Sequence, residues 1–98
     1  MSWEIQPQET TGTYKFSGTF LITHGVNETL SQKEIATIYH TIQQMVKEQN
    51  GIDYLVSIIH SETKEKLFFI DQLNQEMIDG GQYAKEDNYC TLMLTSEY

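Results

Sequence analysis

Hydrophobic and polar positions change their period several times along this chain, and each change marks an element. Tyr14, Phe16, Phe20 and Ile22 alternate with Lys15, Ser17, Thr19 and Thr23, a period of two that predicts a strand with Gly18 weakening or bulging its middle. His24-Gly25-Val26-Asn27 predicts the turn that ends it. The period then becomes helical: Ser31 and Glu34 form a capping box, Leu30 and Ile35 flank it as a hydrophobic staple, and Ile35, Ile38, Tyr39, Ile42, Met45 and Val46 recur on one face. Asn50-Gly51 stops this helix in the left-handed region. About 18 residues at 1.5 Å each give a rod of about 27 Å, enough to cover one face of a small sheet. Lys33, Thr37, His40, Gln44 and Lys47 form its water-facing stripe.

Ile52 to His60 is a β-branched run and Leu67 to Ile70 another, with polar His60 to Lys66 between them, which predicts a hairpin. A helical turn at Leu73 to Ile78 and a loop holding Asp79-Gly80-Gly81 and Lys85 to Asn88 precede a last strand, Tyr89 to Leu94. Residues 1–12, polar and holding Pro7 and Gly12, predict a loose arm or edge segment pinned by Trp3 and Ile5. The expected fold is a single α+β domain over 1–98. One amphipathic helix packs on a mainly antiparallel sheet in the order β-α-β-β-β. The hairpin strands are apolar on both faces, through Tyr54, Val56 and Ile58 on one side and Leu55 and Ile59 on the other. One helix covers one face only, so the other must meet the arm, a second copy or a partner, and the arm is the simplest cover.

Composition changes the picture by its charge. Fourteen carboxylates stand against six lysines and no arginine, for a net charge of −8 in 98 residues. Six of the carboxylates lie in residues 71–98 with Lys85 as their only cation. Six scattered lysines do not build a phosphate-gripping groove, which argues against direct nucleic-acid binding and for a basic partner. With 39% hydrophobic residues the chain is too apolar for disorder. The lone Cys90 excludes an internal disulfide and suits a reducing compartment, and no segment has the pattern of a signal peptide or a membrane span, so a cytoplasmic protein is expected.

The chemistry of a catalyst is thin. Cys90, His60 and Asp71 are the right types for a thiolate, its base and an orienting carboxylate, but Cys90 sits in an apolar strand and is expected to be a small buried hydrophobe. No two of the three histidines are spaced i, i+4 and there is no second cysteine, so neither a metal nor another cofactor is expected. Gly80-Gly81 lacks the basic residue and helix start of a phosphate cradle. The pairs Glu62/Glu65, Glu76/Asp79 and Glu86/Asp87 read as solvated charge, and Glu28 as a residue placed to favour a helix N-terminus. What remains is collective charge, because rows of surface carboxylates imitate a phosphate backbone and are drawn to clefts built from Lys and Arg.

Two resemblances bear on this. Ile22-Thr23-His24-Gly25-Val26-Asn27-Glu28, Asp53-Tyr54-Leu55, and Thr91-Leu92-Met93-Leu94 with Glu97-Tyr98 resemble a family of small proteins of staphylococcal and other Firmicute mobile elements, which brings no catalytic residues to transfer. The β-α-β-β-β order, the segment Asp53 to Val56 through Ser61-Glu62-Thr63 to Leu67-Phe68-Phe69, and the acidity are similar to the phage uracil-DNA glycosylase inhibitors, protein mimics of DNA. Those inhibitors carry an additional N-terminal helix and a Glu-Ser-Ile motif on the first strand, where this chain reads Thr19-Phe20-Leu21-Ile22.

The resulting expectation is a non-enzymatic protein that occupies the DNA-binding cleft of a host enzyme, with a uracil-DNA glycosylase the most specific candidate. Glu28, Glu62, Glu65, Glu76, Asp79, Glu86 and Asp87 would face the partner. An apolar pocket near Ile38, Ile42, Val56 and Ile58 would accept one of its side chains. The alternative is a homo-oligomeric interaction module of a mobile element, such as a homodimer pairing its sheet face or edge.

Overall fold

The computed structural model describes residues 3–8, 11–72, 79–81 and 88–98. Five strands, β1 (Trp3–Ile5), β2 (Thr19–Ile22), β3 (Leu55–His60), β4 (Lys66–Asp71) and β5 (Tyr89–Leu94), form one sheet in the order β1-β3-β4-β5-β2. The pairs β1/β3, β3/β4 and β4/β5 are antiparallel, and β2 runs parallel to β5. Two helices lie between β2 and β3, namely α1 (His24–Thr29) and α2 (Gln32–Gln49), and a 3-10 turn (Thr95–Glu97) follows β5.

The α+β class and the mostly antiparallel sheet agree with the sequence pattern. The main helix does so in detail. Glu34 N–H donates to Ser31 Oγ (3.1 Å) and Ser31 N–H to Glu34 Oε1 (2.9 Å), so each residue satisfies one of the other's otherwise orphaned donors. At the far end Asn50 takes the left-handed conformation (φ 54°) and Gly51 follows at φ 110°. Ile35, Ile38, Ile42 and Val46 point into a core that also holds Val56, Ile58, Leu67, Phe69, Cys90 and Leu92.

Other expectations are corrected. The strand read from Tyr14 to Thr23 is cut to Thr19–Ile22, because Phe16 adopts φ 50° and Tyr14 forms an isolated bridge with Ile52. Gly18 is a point of close approach rather than a bulge, since a Cβ there would stand 2.6 Å from the backbone of Asn88. The turn read at His24 to Asn27 is the start of α1: Thr23 is its N-cap and accepts from Val26 N–H (3.3 Å). Among the described residues the named strands and α-helices therefore run β-β-α-α-β-β-β, with a second short helix and an N-terminal strand that β-α-β-β-β lacks. Part of the expected arm is a strand, as Trp3, Glu4 and Ile5 pair with His60, Ile59 and Ile58. It extends the sheet edge instead of crossing the second face. The helical turn read at Leu73 to Ile78 lies outside the described residues.

Candidate functional site

Strand direction decides which charges meet. β3 ends at His60 and β4 starts at Lys66, while β5 and β2 end at Leu94 and Ile22, so the 61–65 turn, the Thr95–Glu97 turn and α1 share one end of the sheet. The start of α2 joins them, because Trp3 stands opposite His60 in the register and its Nε1–H donates to Glu34 Oε2 (2.7 Å). This end collects Glu28, Glu34, Glu62, Glu65 and Glu97, with Lys33, Lys64 and Lys66 beside them.

The five carboxylates divide by their hydrogen bonds. Glu34 is held by the Ser31 N–H and the Trp3 indole, and these donors lower its pKa below the usual glutamate value. Glu97 Oε1 accepts from Thr23 Oγ1–H (2.6 Å) and Leu94 N–H (2.9 Å), bonds that lower its pKa and tie the C-terminal turn to α1. Glu28 is exposed and reached by His24 Nε2 at 2.9 Å, a contact on the solvated surface worth at most about 1 kcal/mol. Glu62 and Glu65 are exposed on the β3–β4 turn.

That turn is built around His60. Glu62 N–H and Thr63 N–H both donate to His60 Nδ1 (3.1 and 3.2 Å). His60 N–H donates to Glu65 O (2.8 Å), and Lys64 N–H donates to His60 O (3.1 Å) with Lys64 at φ 63°. Behind it the imidazole meets the Trp3 ring edge-on at 4.8 Å.

Among the described residues Glu28, Glu62 and Glu65 make no ion pair with a lysine. Lys15 Nζ donates to Asn50 Oδ1 (2.7 Å) and Lys64 Nζ to Ser61 O (2.9 Å), both neutral acceptors.

Of the seven carboxylates predicted from the sequence, Glu28, Glu62 and Glu65 come to one end of the sheet. Asp79 is exposed. Glu76, Glu86 and Asp87 lie outside the described residues. Ile38, Ile42, Val56 and Ile58, read as an apolar pocket, are fully buried and in the core, so the space between helix and sheet at these residues is closed. A cavity of about 440 Å³ instead lies over the second sheet face, lined by Gln6, Pro7, Gln8, Asp53, Leu55, Ser57, Lys66 and Phe68. Gln8 closes one side of it as a strand residue would, its amide donating to Leu55 O (3.1 Å) and accepting from Asp53 N–H (2.9 Å). Tyr98 adds a second cover that the sequence does not announce, its ring 5.4 Å from that of Phe68.

The types suited to a nucleophilic site are not assembled. Asp71 and Cys90 are register partners, but Asp71 N–H bonds Tyr54 O, and His60 lies about 20 Å further along β3. Burial, and then the Asp71 charge, push the Cys90 thiol up to about 12. We expect Cys90 to resist a neutral thiol reagent in the folded protein at pH 7 and to react at once in denaturant; comparable rates in both states would contradict its placement. Among the described residues no cluster of three metal-ligating side chains occurs, and no helix is long and apolar enough to cross a membrane. No protein family, curated protein or solved structure matches this chain.

Proposed function

We propose that this chain is a non-enzymatic acidic protein of mobile-element or phage type that acts in the cytoplasm. It binds stoichiometrically in the basic, DNA-binding cleft of a host enzyme, its carboxylates taking the place of phosphates. A uracil-DNA glycosylase is the most specific candidate. The observation that carries this reading is a net charge of −8, with Glu28, Glu62 and Glu65 presented to solvent at one end of the sheet. Such a surface raises the encounter rate with a Lys/Arg-lined cleft, and salt weakens it.

Titration of a purified uracil-DNA glycosylase and a panel of nucleases tests the reading. One enzyme should lose activity linearly to an endpoint near one inhibitor per active site, with the association rate falling steeply between about 20 and 300 mM salt. Full activity of every enzyme at large excess of this protein overturns it.

A second reading, self-association without an inhibitory role, is favoured by the contrast between the two sheet edges. β1 carries Glu4 and is followed by Pro7, both of which discourage further pairing. β2 carries no charge and exposes Leu21 (43%) and Ile22 (37%). Under this reading the protein sediments as a dimer at micromolar concentration, nearly indifferent to salt, and Leu21→Lys returns it to a monomer.

A further inference from the structure

We propose that His60 is a pH-dependent gate on the acidic turn that carries Glu62 and Glu65, an inference that rests on the reading of those carboxylates as partner-facing. The turn has two backbone donors, Glu62 N–H and Thr63 N–H, aimed at one ring nitrogen, His60 Nδ1, at 3.1 and 3.2 Å. A ring nitrogen accepts only when it carries no proton, so this geometry requires the neutral imidazole with its hydrogen on Nε2. Protonation places an N–H where two N–H groups already point. Both backbone bonds are lost together, and the turn loses the cap that sets where Glu62 begins.

Protonation works against those two bonds, because they hold the neutral ring. His60 is partly exposed, so a proton reaches it without unfolding. From α2, Glu34 reaches the same place through its bond from the Trp3 indole, whose ring the imidazole meets edge-on. From β1 the imidazole meets the uncharged Trp3 ring. Its own turn supplies Glu62, Lys64 and Glu65, and Lys66 is the register partner of the preceding residue, Ile59. The charged groups named around the ring are thus three carboxylates and two lysines. His24 and His40 are also exposed, but no backbone N–H donates to either ring among the described residues, so their protonation leaves no backbone donor orphaned. The consequence is a partner-facing turn that is ordered with the neutral ring and released by its protonation, to be followed from about pH 8 down to about pH 5.

The test is amide hydrogen exchange and ¹⁵N spectroscopy of the free protein across that range, with two variants. At neutral pH the His60 ring should show the Nε2–H tautomer, and the Glu62 and Thr63 amides should be protected. After correction for intrinsic exchange, their protection should fall at least tenfold on acidification, while amides of β3 and β4 keep theirs. His60→Asn supplies an acceptor that does not titrate and should hold protection at all pH values. His60→Phe keeps the edge-on ring against Trp3 without the acceptor and should lack protection throughout. Unchanged protection of both amides in acid, or an Nδ1–H tautomer at neutral pH, overturns the gate. Because no partner enters this experiment, its failure is distinguishable from failure of the inhibitory reading, which is decided by enzyme titration alone.

Discussion

Replacing Phe69 by alanine is expected to destabilise the fold by about 4 kcal/mol. Phe69 is fully buried in the middle strand, between Val56 on β3 and Leu92 on β5. Its ring centroid lies 4.8 Å from that of Phe16 and 5.5 Å from that of Phe20, with Tyr39 of α2 beyond at 6.2 Å. It thus joins three segments distant in sequence, and truncation loses transfer free energy and leaves a cavity that a rigid sheet cannot close. Small domains are stable by only about 5–15 kcal/mol, so the urea midpoint should drop sharply. Phe68 is the internal control. It faces the second side of the sheet and is half-buried beneath Tyr98, so Phe68→Ala should cost no more than about 1.5 kcal/mol. Equal losses from the two neighbours would contradict the register.

Asp71 should give the second largest effect, and one that depends on pH. Its carboxylate is 2% exposed and accepts from Phe16 N–H (2.9 Å), Gln72 N–H (3.0 Å) and the Asn88 side chain. It latches the segment between the two edge strands to the end of β4, holding Phe16 in its left-handed conformation while Gln43 Nε2 donates to the Phe16 carbonyl (2.6 Å). Asp71→Ala orphans these donors and should cost about 2–3 kcal/mol, whereas Asp71→Asn keeps an acceptor for Phe16 and should cost less than about 1 kcal/mol.

Burial raises the Asp71 pKa against the opposing pull of its hydrogen bonds. The folded chain therefore binds this proton more tightly than the unfolded chain does. The Asp71 contribution to stability falls as pH rises from the ordinary value of 3.8 to the raised folded value, and is constant above it. Asn has no such term, so the stability of Asp71→Asn relative to the natural chain should be most favourable at neutral pH and should decline on acidification. A pH-independent difference between the two proteins would contradict the burial.

These two residues also show what is legible in the sequence. Phe69 is readable as core, because a β-branched and aromatic run between turn signals must be buried on at least one face. The helix over Gln32–Gln49 is readable to within a residue, since Ser31, Glu34 and Asn50 act on their neighbours in sequence. The role of Asp71 is not readable. Its main donor, Phe16 N–H, is 55 residues away, and no local pattern declares that a phenylalanine will adopt a positive φ. The same reason hides the parallel pairing of β2 with β5, which joins Leu21 to Thr91 across the whole fold. Helix α1 escapes because Gly25 and Asn27 read as turn residues, while its one strong signal, the Thr23 cap, is a single side chain.

The candidate site follows the same division. That Glu28, Glu62 and Glu65 are solvated follows from charge on short turns. Their arrival at one end of the sheet depends on strand order. His60, read only as a turn residue and a weak candidate base, is the residue on which the Glu62–Glu65 turn is hung, through a ring acceptor that spacing alone does not reveal.

If carboxylates of this protein take the place of DNA phosphates, the protein and a duplex must compete for one cleft. A labelled uracil-containing duplex is bound to a catalytically inactive uracil-DNA glycosylase at low salt, and this protein is added to equivalence. The duplex should be displaced with an endpoint near one to one, with no ternary complex at any ratio, and Glu62→Lys combined with Glu65→Lys should weaken displacement at least tenfold. Retention of the duplex at large excess of this protein, or a stable ternary complex, would contradict it.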